Sequence, residues 1–216
     1  MIGIIAGALA WATVAAFAGL VLAHGSIGTG QANGASAAPA PHTTGAARDH
    51  GGDLRRFLVP EPGDAEPRLT SVTADGRLDV AEIAANYQKP SEAISYLMGL
   101  GFATGAVRSW IASDGKLVEV DLFRFGTSNG AYSYFRDTVN DDLHRPSSDY
   151  SIRLIRSIPG ADGEVIEFSK TDKNHYQVSN GLAVRGDVVL SVWTYQSPPQ
   201  SVQFTESITY DQWTRL

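Results

Sequence analysis

Two carboxylates stand two residues apart in a strand-like stretch of the chain, Glu119 and Asp121. Residues i and i+2 of a strand share one face, so this pair could form the acid and base of a hydrolase. The pattern also suits a solvated strand face on which Arg108, one strand away, neutralises Asp121. We favour the solvated face. An envelope hydrolase that uses Glu119, Asp121 and His175 stays the less favoured alternative.

Other residues that could do chemistry are scattered along the sequence. Cys is absent, which excludes thiolate catalysis and Cys-ligated metal sites, and the five His show no metal-ligand spacing. No nucleophile-elbow, phosphate-loop or dinucleotide-binding motif occurs. The 17 basic residues are outnumbered by 23 acidic ones, which argues against a nucleic-acid partner. We therefore expect no catalytic residue, no cofactor and no metal.

The dipeptide Asp114-Gly115 separates two runs of alternating apolar residues and predicts a β-hairpin. With a two-residue turn, Ile111 lies opposite Val118, and Val107 lies opposite Leu122. These four side chains then share the face that meets the core, and the remaining positions point to the other face.

On that other face the same register pairs Trp110 with Glu119 and Arg108 with Asp121. We therefore predict a partner surface made of Arg108, Trp110 and Glu119.

Apolar periodicity and turn residues divide the rest of the domain into helices and strands. Short helices are predicted over residues 79–87 and 89–101, a longer one over residues 130–142, and a final one over residues 200–216. Further strands are predicted over residues 152–158, 165–169, 176–184 and 188–195. This order predicts an α+β fold, with a mostly antiparallel sheet of about six strands and helices packed on it.

The first 47 residues contain no charged side chain, since Arg48 is the first. Residues 2–23 are almost entirely apolar, and as a helix they would span about 33 Å, enough for a bilayer core of about 30 Å. We predict a transmembrane anchor over residues 1–24. A cleaved secretion signal is the alternative, although such signals have a shorter apolar core preceded by Lys or Arg.

Residues 25–52 are rich in Gly, Ala, Ser, Thr and Pro and predict a flexible linker. For its charge-free part, residues 25–47, the root-mean-square reach is roughly 25 Å, from about 5–6 Å times the square root of the number of residues. The predicted domains are thus an anchor (1–24), a linker (25–52) and an extracytoplasmic domain (53–216). The positive-inside rule gives almost no information on the orientation of the predicted span, because no Lys or Arg lies near it.

Three short runs carry a family resemblance: DLRRFLVP at residues 53–60, GFATGAVRSW at 101–110 and QWTRL at 212–216. They resemble uncharacterised membrane-tethered or lipoprotein-like extracytoplasmic domains of high-GC bacteria. The order of sheet and helices is also similar to the PsbP-like α/β/α sandwich, a fold of accessory and binding proteins. The lipobox Cys of the lipoprotein members is absent here, so anchoring would depend on residues 2–23. The resemblance transfers no functional residue.

Together these features favour a single-pass protein of the bacterial cell membrane, with the C-terminal domain outside. We expect a non-enzymatic binding, sensing or accessory domain whose partners are the membrane, through residues 2–23, and an envelope ligand or protein. A structural subunit of a membrane complex is the alternative.

Overall fold

A computed structural model describes residues 50–68, 76–144, 152–157, 162–168, 177–197 and 202–216. The predicted anchor and almost all of the predicted linker lie outside these residues. Within them, no helix is both long enough and apolar enough to cross a membrane.

The described strands form one antiparallel sheet with the order β1-β3-β4-β8-β7-β6-β5, and β2 also pairs with β3. The strands are β1 (Glu66–Arg68), β2 (Arg77–Leu78), β3 (Phe102–Ile111), β4 (Leu117–Phe125), β5 (Ile152–Ser157), β6 (Asp162–Phe168), β7 (Gln177–Arg185) and β8 (Val188–Gln196). The predicted α+β fold with an antiparallel sheet is confirmed. The two short strands β1 and β2, which pair with the outer edge of β3, were not predicted.

Four α-helices and one short 3-10 helix pack on this sheet. They are the 3-10 helix Leu54–Phe57, α1 (Val80–Ala84), α2 (Pro90–Gly99), α3 (Ser128–His144) and α4 (Val202–Arg215). Asp79 caps α1 by accepting a hydrogen bond from the Glu82 backbone N–H, and Glu82 accepts one from the Asp79 N–H in return. Local side-chain chemistry thus begins a helix that is only five residues long.

The helices lie on both faces of the sheet, which gives three layers. Face A carries Val107, Asp121, Phe123, Leu182 and Val189, and its apolar core includes residues of α1, α2 and α3. Face B carries the alternate positions of the same strands. Its apolar core includes residues of the 3-10 helix, and α4 packs against it. The central strands β4 and β8 are therefore apolar on both faces, as expected for buried strands.

The predicted hairpin exists, but its predicted register was wrong by one residue. Ile111 pairs with Leu117, and Ala112 donates its N–H to the carbonyl of Lys116 at 2.8 Å. The loop therefore has three residues, and it closes at Gly115, whose φ of 81° is left-handed. A three-residue loop ending in a left-handed glycine is a common alternative to the two-residue turn.

The one-residue shift moves each side chain relative to its predicted partner. Val107 lies opposite Asp121, and Arg108 lies opposite Val120. Since the side-chain period of a strand is two, Arg108 and Asp121 project from opposite faces of the sheet. The predicted neutralisation of Asp121 by Arg108 is therefore wrong.

Helix α4 packs closely on β7 through small and polar side chains. Thr205, Thr209 and Gln212 are buried on the inner side of the helix. A Cβ atom added to Gly181 of β7 would lie 2.0 Å from the Thr209 Oγ1, so only glycine fits there. This polar buried stripe hides the periodicity that normally identifies an amphipathic helix.

His50, the first described residue, lies inside the predicted linker and contacts the domain. The imidazole is 1% exposed, and its two ring nitrogens lie 2.6 Å from the Asp187 Oδ1 and 2.7 Å from the Leu216 carbonyl oxygen. Arg124 donates to the His50 carbonyl at 2.8 Å. His50 therefore connects this part of the chain to the turn between β7 and β8 and to the end of α4.

Candidate functional site

A cavity of about 510 Å³ lies on face B between the segment after the 3-10 helix, strand β3 and helix α4. We call it the α4 groove. Its lining is Val59, Pro60, Pro62, Trp110, Ala112, Phe204, Ile208, Asp211, Thr214 and Arg215. The volume falls within the range of small-molecule sites, and the lining is mainly apolar with a few polar groups, as such sites usually are.

Hydrogen bonds from two elements hold one wall of the groove in place. Arg108 donates to the carbonyls of Val59 at 2.7 Å and of Leu58 at 3.3 Å. From α4, the Gln212 side chain accepts from the Val59 N–H at 2.9 Å and donates to the Phe57 carbonyl at 3.0 Å. Because an extended segment is fixed from both sides, the wall is preformed rather than assembled by a ligand.

Trp110 forms part of the floor of the groove. It is 2% exposed, and its indole N–H has no hydrogen-bond acceptor among the described residues. A buried donor without an acceptor costs about 1–3 kcal/mol. The Trp213 indole N–H, on α4, is likewise buried without an acceptor among the described residues.

The opposite wall comes from one stripe of α4. Phe204, Ile208, Asp211 and Arg215 follow the i, i+4, i+7, i+11 spacing that places residues along one side of a helix. Phe204 and Ile208 are apolar, whereas Asp211 and Arg215 are exposed at the far end. The Lys116 ammonium lies 4.8 Å from the centre of the Phe204 ring. The groove therefore runs from an apolar region to a charged end.

The predicted partner surface of Arg108, Trp110 and Glu119 does not form one surface. Arg108 and Trp110 project from face B, where Arg108 supports the groove wall and Trp110 lies in the floor. Glu119 lies opposite Ser109 and projects from face A. The observed register separates residues that the predicted register placed together. Of the three residues, Trp110 lines the α4 groove.

The paired carboxylates lie on face A. Asp121 is 8% exposed, and burial raises the pKa of its carboxyl well above the ordinary value, with a smaller contribution from the negative charge of Glu119. The strand face that we predicted to be solvated is thus largely buried at Asp121. The described part of the chain contains no group of three or more His, Cys, Asp or Glu able to hold a metal. His175 lies outside the described residues.

Sequence reasoning did not identify the α4 side of the groove. The final helix was predicted over residues 200–216, and no site was assigned to it. A detectable signal was the i, i+4, i+7, i+11 spacing of Phe204, Ile208, Asp211 and Arg215, which places them along one side of a helix. Val59 and the two prolines gave no such signal.

Comparisons with known proteins bear on the fold. No family model matches the chain, and no curated protein matches it. Among solved structures, the extracellular domain of PknH from Mycobacterium tuberculosis is similar, with a TM-score of 0.50 and 10% identity. The match covers 75% of this chain and 95% of that one. At this identity the likeness shows a shared fold, that of an extracellular domain in the other protein.

Proposed function

We propose that this chain is a membrane-anchored extracytoplasmic domain that binds a small, largely apolar molecule in the α4 groove and catalyses no reaction on it. The observation that carries this proposal is the mainly apolar cavity of about 510 Å³, with one wall fixed by hydrogen bonds and Trp110 in its floor.

The lining indicates the chemistry of the ligand. Pro60, Phe204 and Ile208 suit an apolar or aromatic body, which gains about 25 cal/mol for each Å² removed from water. Arg215 at the charged end attracts an anionic or strongly polar group, while Asp211 beside it limits the preference for anions.

The binding claim is tested with N-phenyl-1-naphthylamine, a neutral probe that fluoresces in apolar sites. We expect saturable fluorescence with the full-length chain and a loss of at least about tenfold in affinity for Ile208→Trp, which fills the groove. Met98→Ser is the matched control, because Met98 is apolar and 56% exposed on the other side of the sheet. Equal binding by both variants at unchanged melting temperatures would contradict the proposal.

The proposed placement outside the membrane is supported by the charge-free apolar run of residues 2–23 and by the fold shared with an extracellular domain. Protease added to intact cells tests it. We expect cleavage of the domain without lysis, whereas a cytoplasmic control protein is cleaved only after lysis. Protection of this domain until lysis would contradict the placement.

A further inference from the structure

The two ends of the α4 groove differ in charge. At about 1.5 Å per residue, the stripe of α4 from Phe204 to Arg215 is roughly 16 Å long. Phe204 and Ile208 form its apolar part, and Asp211 and Arg215 form its charged end. A ligand that lies along the whole groove therefore has an extended apolar part and a polar head at one end.

The charged end presents one negative and one positive side chain. Asp211 and Arg215 are four residues apart on the helix, a spacing at which Cβ atoms lie about 5–6 Å from each other. Both side chains are exposed, and neither forms an ion pair or a side-chain hydrogen bond among the described residues. Both charges are thus available to a ligand.

The end of α4 disfavours a head that carries charge of one sign alone. The helix ends at Arg215, and the carbonyl groups of a last helical turn carry partial negative charge. These carbonyls and the Asp211 carboxylate repel a lone anion, while the Arg215 guanidinium repels a lone cation. A head with both an anionic group and an ammonium complements both side chains, because the anion accepts from Arg215 and the ammonium donates to Asp211.

The cation at the apolar end of the groove already has a partner. The Lys116 ammonium lies 4.8 Å from the centre of the Phe204 ring and forms an ion pair with Asp114 of the hairpin loop. A polar head at this end would have to displace Asp114, whereas Asp211 and Arg215 are available at the other end. We therefore expect the head at the charged end and the apolar part directed toward Phe204.

The wall at Val59 offers an extended peptide few backbone partners. The Val59 N–H and carbonyl are already bonded to Gln212 and Arg108, and Pro60 and Pro62 have no N–H to donate. Each residue of a buried peptide brings a donor and an acceptor that need partners, so a peptide would lose hydrogen bonds here. An acyl chain has no such groups and suits this wall better.

We propose that the α4 groove binds a single-chain zwitterionic lipid, whose head carries a phosphate and a primary ammonium. The acyl chain lies along Ile208 and Phe204, the phosphate accepts from Arg215, and the ammonium donates to Asp211. The source of this lipid is the membrane beside which the predicted anchor holds the domain. This inference rests on the proposed function, since it assigns a ligand class to the same cavity.

Native mass spectrometry of the full-length chain, released from digitonin micelles, tests the head group. The probes share one acyl chain and differ in charge: myristoyl lysophosphatidylethanolamine is zwitterionic, myristoyl lysophosphatidylglycerol is anionic, myristylamine is cationic and monomyristoylglycerol is neutral. We expect the zwitterionic lipid to bind at least about threefold more tightly than each of the others, since exposed ion pairs contribute modestly. Glycerophosphoethanolamine, the head without a chain, should not bind.

Substitutions at the charged end should change this preference in opposite ways. Asp211→Asn should bring the anionic lipid level with the zwitterionic one, and Arg215→Gln should do the same for the cationic amine. Both positions are exposed, so the melting temperature should not change. The matched control is Lys89→Gln with Glu92→Gln, an exposed ion pair on α2 on the other side of the sheet, which should leave the order of the probes unchanged.

The direction of the chain is the second readout. A zwitterionic lysolipid with a photoactivatable diazirine at the end of its chain should label peptides that contain Phe204 or Ile208, located by tandem mass spectrometry. Labelling confined to Thr214 and Arg215 would overturn the proposed orientation of the ligand.

The outcomes separate this inference from the proposed function. If N-phenyl-1-naphthylamine binds and Ile208→Trp weakens it, but the lipids bind equally or their order is the same in Asp211→Asn and Arg215→Gln, the lipid assignment alone is overturned. If neither the dye nor any lipid binds, the proposed function is overturned together with it.

Discussion

The His50 Nδ1 lies 2.6 Å from the Asp187 Oδ1, and this contact joins residues that are 137 positions apart in sequence. Its other ring nitrogen contacts the Leu216 carbonyl, so one imidazole connects the chain after the predicted linker with the β7–β8 turn and the end of α4. The pair thereby fixes where the predicted tether leaves the domain.

Replacing this imidazole should loosen that attachment. We expect His50→Ala to lower the free energy of unfolding by about 1–3 kcal/mol, because it leaves the Leu216 carbonyl and the Asp187 carboxylate without their partner. Urea denaturation of the full-length chain measures the change. A double-mutant cycle with Asp187→Asn should give a coupling of about 0.5–3 kcal/mol. Strict additivity would show that the contact is not formed.

Gly181 should tolerate no side chain. A Cβ there would meet the Thr209 Oγ1 at 2.0 Å, so Gly181→Ala should destabilise the domain by about 1–3 kcal/mol through forced separation of α4 from β7. Gly63→Ala is the control, since no atom lies within 4 Å of its added Cβ. Thermal unfolding compares the two, and Thr209→Ala should partly restore the Gly181→Ala variant. Equal midpoints for both glycine variants would contradict the observed packing.

Asp121 should make the domain less stable as pH rises. Burial raises the pKa of the Asp121 carboxyl in the folded state above the ordinary value of 3.8. Folding therefore favours the neutral carboxyl. Its contribution to the free energy of unfolding is complete below pH 3.8 and is lost as pH rises through the folded-state pKa. The slope contributed by one such group reaches about 1.4 kcal/mol per pH unit. Asp121→Asn stays neutral and should flatten the decline, measured by urea denaturation across this range.

Asp114 provides the opposite control for that experiment. A hydrogen bond from Lys116 lowers the pKa of its carboxyl, so its small contribution is present above the unfolded value and lost as pH falls through the folded one. Asp114→Asn should therefore leave the decline at high pH unchanged. A decline that persists in Asp121→Asn and disappears in Asp114→Asn would reverse our assignment.

The sequence was sufficient to locate the four α-helices and the six longer strands, but not the two short strands β1 and β2 or the hairpin register. Periodicity and turn residues located both hairpins and all four α-helices, because these signals are local. The register depended on whether Ser113 belongs to a strand or to the loop. The Asp-Gly dipeptide fits both a two-residue and a three-residue loop. A loop longer by one residue shifts the register by one, so residues predicted to share a face of the sheet lie on opposite faces.

That exchange also explains why the candidate site could be predicted only in part. Trp110 was selected as an exposed partner residue, yet it lies in a groove that α4 and the Val59 segment build around it. Both covering elements are far from β3 in sequence, and their approach depends on Gly181 and the buried threonines of α4. Such long-range packing leaves no periodic signal at Trp110 itself.

The groove is tested most directly by the indole N–H resonance of Trp110, assigned by its disappearance in Trp110→Phe. Titration with 8-anilinonaphthalene-1-sulfonate, which carries an acceptor and a negative charge, should shift this resonance and leave that of Trp193, on face A, in place. Arg215→Gln should weaken the titration. If the probe binds while the Trp110 resonance stays fixed, the ligand does not occupy the α4 groove and the proposed function is contradicted.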